Sequence, residues 1–171
     1  MSLKFEKLSV LVVDDTKSMR DLISSVLEAL NVGKVYQACN GEEGFQSFCL
    51  HQPDILLIDW LMEPMNGIEL THKIRTSEQS PNRMVPIILV TGYSARPRVV
   101  EARDCGVTEF LVKPFSAVDL TRRLTHVINN PRNFIDYNGY FGPDRRRKAD
   151  DAYCGPKRRE DDEIFETWSV D

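Results

Sequence analysis

Long apolar runs are missing from this chain of 171 residues. None approaches the ~20 residues that a bilayer-spanning helix needs. The amino terminus also lacks a basic region followed by an apolar core and a cleavage site, so the chain reads as cytosolic with no membrane partner. A strong charge of one sign is missing too. Lys plus Arg less Asp plus Glu is 22 − 26 = −4, which gives no basis for electrostatically driven nucleic-acid binding. Cysteine is sparse, and Cys39, Cys49, Cys105 and Cys154 stand far apart with no C-x-x-C pair. Reduced thiols therefore fit better than disulfides or zinc. What remains is an ordinary globular mixture, 42% apolar and 28% charged, long enough for one domain and a tail.

The apolar residues that are present come in short continuous runs, each closed by a polar residue. Leu8-Ser9-Val10-Leu11-Val12-Val13 ends at Asp14-Asp15, and Ile55-Leu56-Leu57-Ile58 ends at Asp59. Val85-Pro86-Ile87-Ile88-Leu89-Val90 ends at Thr91, and Phe110-Leu111-Val112 ends at Lys113-Pro114. Continuous Val/Ile/Leu runs are what strands covered by helices on both faces require, and such sheets bind ligands beyond the carboxyl ends of their strands. Three carboxylates, a hydroxyl and an ammonium are thereby expected at one sheet edge. Three clustered acids make a candidate cation site.

Helical spacing separates the runs. Met19, Leu22, Ile23, Val26, Leu27 and Leu30 form one apolar stripe, and Leu120, Leu124, Val127 and Ile128 form another that stops at Asn129-Asn130-Pro131. Lys34 to Ala38 is a short second strand. Asn40 with Glu43, Asn66 with Glu69 and Ser116 with Asp119 have the spacing of reciprocal amino-terminal caps. Five strands alternating with five helices imply an α/β fold with a doubly wound parallel sheet, because the crossover of each β-α-β unit is right-handed.

Taken in order, Asp14-Asp15, Ile58-Asp59-Trp60 with Met65-Asn66-Gly67, Thr91-Gly92 and Lys113-Pro114-Phe115 resemble the receiver domain of bacterial two-component response regulators, the CheY-like family. The resemblance covers roughly residues 7 to 129. It implies a flavodoxin-like sheet of order 2-1-3-4-5 whose switch point falls at the acids, with a receiver domain over 1–129 and an extension over 130–171.

A carboxylate can attack phosphorus to give an acyl phosphate if the incoming negative charge is neutralised. The resemblance makes Asp59 the phosphoacceptor, with Thr91 and Lys113 contacting the phosphoryl oxygens. It makes magnesium the cofactor, held by Asp15 and Asp59, by Asp14 directly or through water, and by the backbone carbonyl of Leu61. Magnesium keeps several waters, so two or three protein ligands suffice. Thr91 and the aromatic Phe110 are the implied switch residues. The chain would not be an enzyme beyond magnesium-dependent self-phosphorylation and self-dephosphorylation. Glu63-Pro64 stands where the family often has proline one place earlier, so a slightly altered loop is expected. Leu61 and Tyr93 occupy two variable positions flanking the route of water, which favours a long-lived phosphoryl group. His51, His72 and His126 share no ligand spacing and read as surface residues.

Pro131 to Asp171 is different material, poor in branched aliphatics, with 8 basic against 10 acidic residues. It is expected to be irregular. Tyr140-Phe141-Gly142-Pro143-Asp144-Arg145-Arg146 recurs thirteen residues later as Tyr153-Cys154-Gly155-Pro156-Lys157-Arg158-Arg159. An aromatic anchor beside guanidinium groups suits protein docking, with Phe134, Tyr137 and Trp168 packing on the receiver, on a second copy in a homodimer, or on a partner. The acids around the basic clusters argue against a nucleic-acid target.

The whole then reads as a single-domain response regulator. Its expected partners are a sensor histidine kinase or histidine phosphotransfer protein and a downstream protein target, met through the face around Arg98, Phe110 and Arg122. The alternative is a phosphorylation-independent interaction module acting through its tail.

Overall fold

The computed structural model describes residues 5–92, 96–144 and 163–165, excepting the side chains of 96–99 and 163–165. Strands β1 (Ser9–Val13), β2 (Lys34–Ala38), β3 (Ile55–Asp59), β4 (Ile87–Thr91) and β5 (Glu109–Val112) alternate with helices α1 (Lys17–Ala29), α2 (Gly41–His51), α3 (Gly67–Thr76), α4 (Arg96–Asp104) and α5 (Ala117–Asn129). The strands form one parallel sheet, as expected from the alternation, in the order β2-β1-β3-β4-β5 that the resemblance implied.

The continuous apolar runs are explained by the two cores. Successive strand residues point to opposite faces. Leu11, Val13, Leu56, Ile58 and Leu89 pack with Phe45, Phe48, Leu70 and Ile74 of α2 and α3. Val10, Val12, Leu57, Ile88 and Val90 pack with Ile23 and Leu27 of α1 and with Leu120 and Leu124 of α5. Of the α1 stripe, Leu22 stands out at 54% exposed, so the buried face is narrower than the spacing implies.

Two caps form as expected. The Asn66 side chain accepts from the backbone N–H of Ile68 and Glu69, while the Glu69 carboxylate accepts from Asn66 N. Ser116 and Asp119 form the same reciprocal box. At α2 only half forms. Asn40 accepts from Glu43 N, but the Glu43 carboxylate takes the N–H and thiol of Cys39 instead. Among the described residues no cysteine forms a disulfide.

Part of the 130–171 extension is regular. Strands β6 (Phe134–Tyr137) and β7 (Tyr140–Pro143) form an antiparallel hairpin. Its two-residue turn is Asn138-Gly139, both with positive φ, the chemistry that tight hairpins demand. A short strand β8 (Glu163–Phe165) pairs with the other side of β6. Phe134 and Ile135 are 2% and 3% exposed, so the hairpin is packed against the receiver. The Tyr140-Phe141-Gly142-Pro143 part of the first copy is β7. The second, with Trp168, lies outside the described residues.

Candidate functional site

Strand register brings the polar strand ends together. Val13 pairs with Ile58, Asp59 with Val90, and Thr91 with Val112. Asp14, Asp59, Thr91 and Lys113 are each at, or one residue past, the carboxyl end of adjacent strands. The polypeptide need do nothing further to gather them.

Carboxylate oxygens of Asp14, Asp15 and Asp59 all lie within 4.8 Å of one another, Asp14 and Asp59 buried and Asp15 exposed. Lys113 reaches in from β5, its Nζ 2.6 Å from Asp59 Oδ1 and 3.4 Å from Asp14 Oδ2. One ammonium against three carboxylates leaves the cluster at 1 − 3 = −2. The titration behaviour reflects that excess. Burial pushes the Asp59 carboxyl above its usual range; Lys113 pulls it down without winning, and Asp14 and Asp15 add to the rise. Lys113 is shifted up: burial opposes its charge, but the Asp59 hydrogen bond and the charges of Asp59 and Asp14 outweigh it. The two partners thus differ, since Lys113 gains from the pair while Asp59 remains strained by burial and by its acidic neighbours. A hard divalent cation answers that imbalance. The all-oxygen donor set and the −2 charge fit magnesium.

Asp14 is the better fixed of the first two acids. Its Oδ1 accepts from Thr16 N at 2.8 Å, and its backbone carbonyl accepts from Arg20 Nη1 at 2.7 Å. Sequence reasoning missed Thr16 and Arg20. Their only signal was a hydroxyl and a guanidinium in the first turn after the acids. Asp15, expected as a leading ligand, is exposed and accepts from Thr16 Oγ1 at 3.2 Å.

Thr91 is buried at the end of β4, and its carbonyl accepts from Lys113 N at 2.7 Å. Phe110 is half-buried against the α2/α3 core. Leu61, two residues past Asp59, has an exposed side chain, which leaves any ligand role to its backbone. Gly67 closes the following loop. Its N–H donates to Trp60 O at 2.9 Å, and a Cβ there would lie 2.3 Å from Asp59 O. Only glycine lets α3 begin so close to the acid. Tyr93 falls outside the described residues, as does the Arg98 side chain. His51 is exposed and stacks on Tyr36, and His126 pairs with Glu109 on the surface. Among the described residues no helix is long and apolar enough to cross a membrane.

The response regulator receiver domain profile matches residues 10–125. The chemotaxis protein CheY homolog of Campylobacter jejuni is 34% identical over 122 residues, 71% of this chain and 92% of that protein. Chemotaxis protein CheY1 of Helicobacter pylori is 32% identical, with 71% and 97% covered. The solved structure of chemotaxis protein CheY4 of Vibrio cholerae superposes with a TM-score of 0.65 at 29% identity, covering 70% of this chain and 98% of that one.

Proposed function

The chain belongs to the response regulator receiver domain family of two-component signalling, and from that premise we propose that Asp59 accepts a phosphoryl group from a histidine kinase or phosphotransfer protein. The observation that carries this reading is the Lys113 ammonium 2.6 Å from Asp59 Oδ1, with two further carboxylates within 4.8 Å. That ammonium donates to both buried acids, and its bond to Asp59, at 2.6 Å against 3.4 Å to Asp14, is the shorter. With Oδ1 so engaged, Oδ2 is the oxygen that attacks. A lone pair on it forms the new P–O bond as the P–N bond to the donor imidazole breaks, and that electron pair stays on the imidazole nitrogen, which takes up a proton.

Negative charge grows on the phosphoryl oxygens during transfer. Lys113 can follow it from carboxylate to phosphoryl oxygen, and the Thr91 hydroxyl can donate to a second oxygen. Asp14, Asp15, Asp59 and the Leu61 carbonyl would hold magnesium, which would supply charge neutralisation. Thr91 and Phe110 would carry the switch outward by coupling the new charge to packing. The chain acts in the cytoplasm, signals through protein contacts, and has no enzymatic activity beyond its own phosphorylation and dephosphorylation. No observation favours a phosphorylation-independent module.

A small acyl-phosphate donor with magnesium should add one phosphoryl group, localised to Asp59 by mass spectrometry and lost in Asp59→Asn. Phosphate on a histidine or serine, or none at all, would overturn the assignment.

A further inference from the structure

The hairpin sits at the opposite end of the sheet from Asp59, over an arginine with no counter-ion among the described residues. Arg75, at the end of α3, is 1% exposed. Its Nε donates to Gly106 O at 3.0 Å and its Nη1 to Arg83 O at 2.8 Å, while Nη2 has no partner. No carboxylate lies within ion-pair distance of it among the described residues. The Phe134 ring covers it at 5.1 Å, and Phe141 lies over the Arg83 guanidinium at 4.1 Å. Burial lowers the Arg75 pKa to about 9, which marks how costly that cover is. Removing one partner of such a buried charge is destabilising, and covering an unpaired one is scarcely better. The hairpin is thus held by its aromatics, and the desolvated charge beneath offsets part of that hold.

The contacts that fasten the hairpin converge on the start of β5. Thr108 O accepts from Arg132 Nη1 at 3.3 Å, while Arg132 Nη2 donates to Asp144 O at 2.7 Å just past β7; Gly106 O accepts from Arg75 Nε and so fixes the guanidinium under Phe134. Gly142 packs so closely on the same loop that a Cβ there would lie 3.0 Å from Gly106 Cα. The other end of β5 is Lys113, bonded to Asp59. β5 is four residues long and lies at the sheet edge, with β4 its one strand neighbour. A rod of ~13 Å therefore joins the Asp59 site to the hairpin's fastening points, and only one side of it is anchored by a ladder.

We propose that the 131–144 hairpin is an output element of this receiver, clamped while Lys113 is paired with the Asp59 carboxylate and released when that carboxylate is phosphorylated. The inference rests on Asp59 being the phosphoacceptor. Phosphorylation replaces the carboxylate contact of Lys113 with a phosphoryl oxygen farther out. The displacement passes along β5, draws the Thr108 carbonyl from Arg132 and moves the Gly106 turn from under Gly142. Release then exposes Phe134, Phe141, Arg75 and Arg83 together, an aromatic and guanidinium surface for a downstream protein.

The test is hydrogen exchange on the full chain in magnesium, with and without beryllofluoride, which stands in for the phosphoryl group on a carboxylate. Amides of 134–143 should exchange about 10-fold faster with beryllofluoride, within the usual range of coupling between two sites, while those of 10–13 stay unchanged. Asp59→Asn should remove the effect. Arg132→Gln, remote from Asp59, should loosen the hairpin, with faster exchange in both conditions, and tighten beryllofluoride binding several-fold, because coupling between sites is reciprocal. Binding followed by tryptophan fluorescence, with Trp60 beside Asp59, keeps the two readings apart. Beryllofluoride bound with exchange at 134–143 unchanged or slower, or Arg132→Gln binding it no more tightly, overturns the output role alone. Failure of the wild-type chain to bind it at all overturns the phosphoacceptor reading and the output role with it.

Discussion

Replacing Lys113 by methionine removes the one cation from a cluster of three carboxylates, leaving it at −3. At an effective dielectric of about 20, attractions over 2.6 Å and 3.4 Å sum to roughly 11 kcal/mol before any offset. Most of that is cancelled by the desolvation that Lys113 no longer suffers and by screening of a side chain that is 26% exposed. Truncating one member of a buried pair typically costs about 3–5 kcal/mol. We expect a loss of about 4 kcal/mol in chelator. For a chain of this size, that is a fall in Tm of roughly 8–16 °C. Magnesium should reverse much of it. The more negative cluster binds a divalent ion more tightly than the wild-type one, and the deficit shrinks by RT ln of that affinity ratio, about 2.7 kcal/mol for a ~100-fold ratio. Differential scanning calorimetry of both chains, in chelator and in millimolar magnesium, reads this directly. The deficit in magnesium should be less than half that in chelator. Equal deficits in the two buffers would show that Lys113 and the cation do not share one field, and no deficit in either would make Lys113 a surface lysine.

Asp59 has a raised carboxyl in the folded chain, so its ionisation opposes folding. Its favourable contribution is complete below the unfolded value of 3.8 and is lost as pH rises through the folded value. In chelator at pH 7, Asp59→Asn should therefore be at least as stable as wild type, with the advantage vanishing near pH 3 in urea titrations. A variant less stable at pH 7 than at pH 3, relative to wild type, would contradict the burial argument. Leu61→Asn with Tyr93→Glu should shorten the lifetime of the acyl phosphate, measured by loss of label, because an in-line water is less obstructed; equal lifetimes would rule out shielding. Phe134→Ala should cost about 3–5 kcal/mol in urea unfolding, and a chain ending after Asn130 should lose at least as much, whereas one ending after Asp144 should lose far less. If all three chains unfold together with wild type, the hairpin contributes nothing to the fold.

The alternation of strand and helix, and the residues that close each strand, were readable without coordinates. Both follow from local rules: buried strands need uninterrupted apolar residues, helices need a stripe, and caps need Asn or Ser three residues before an acid. The acids converge because a parallel sheet in register gathers its strand ends, so the order of the chain already placed Asp14, Asp59, Thr91 and Lys113 together. The hairpin had a local signal as well, Asn138-Gly139 between Phe134-Ile135 and Tyr140-Phe141, obscured by the polar composition around it. Where that hairpin docks was not legible. Its seat is Arg75, Arg83, Gly106 and Thr108, brought together from α3, its following loop and the turn before β5. Which guanidinium is buried, and which of Asp14 and Asp15 faces inward, depends on the packing of elements distant in the chain. Spacing alone carries no information about such contacts, because each is set by what the rest of the fold leaves uncovered.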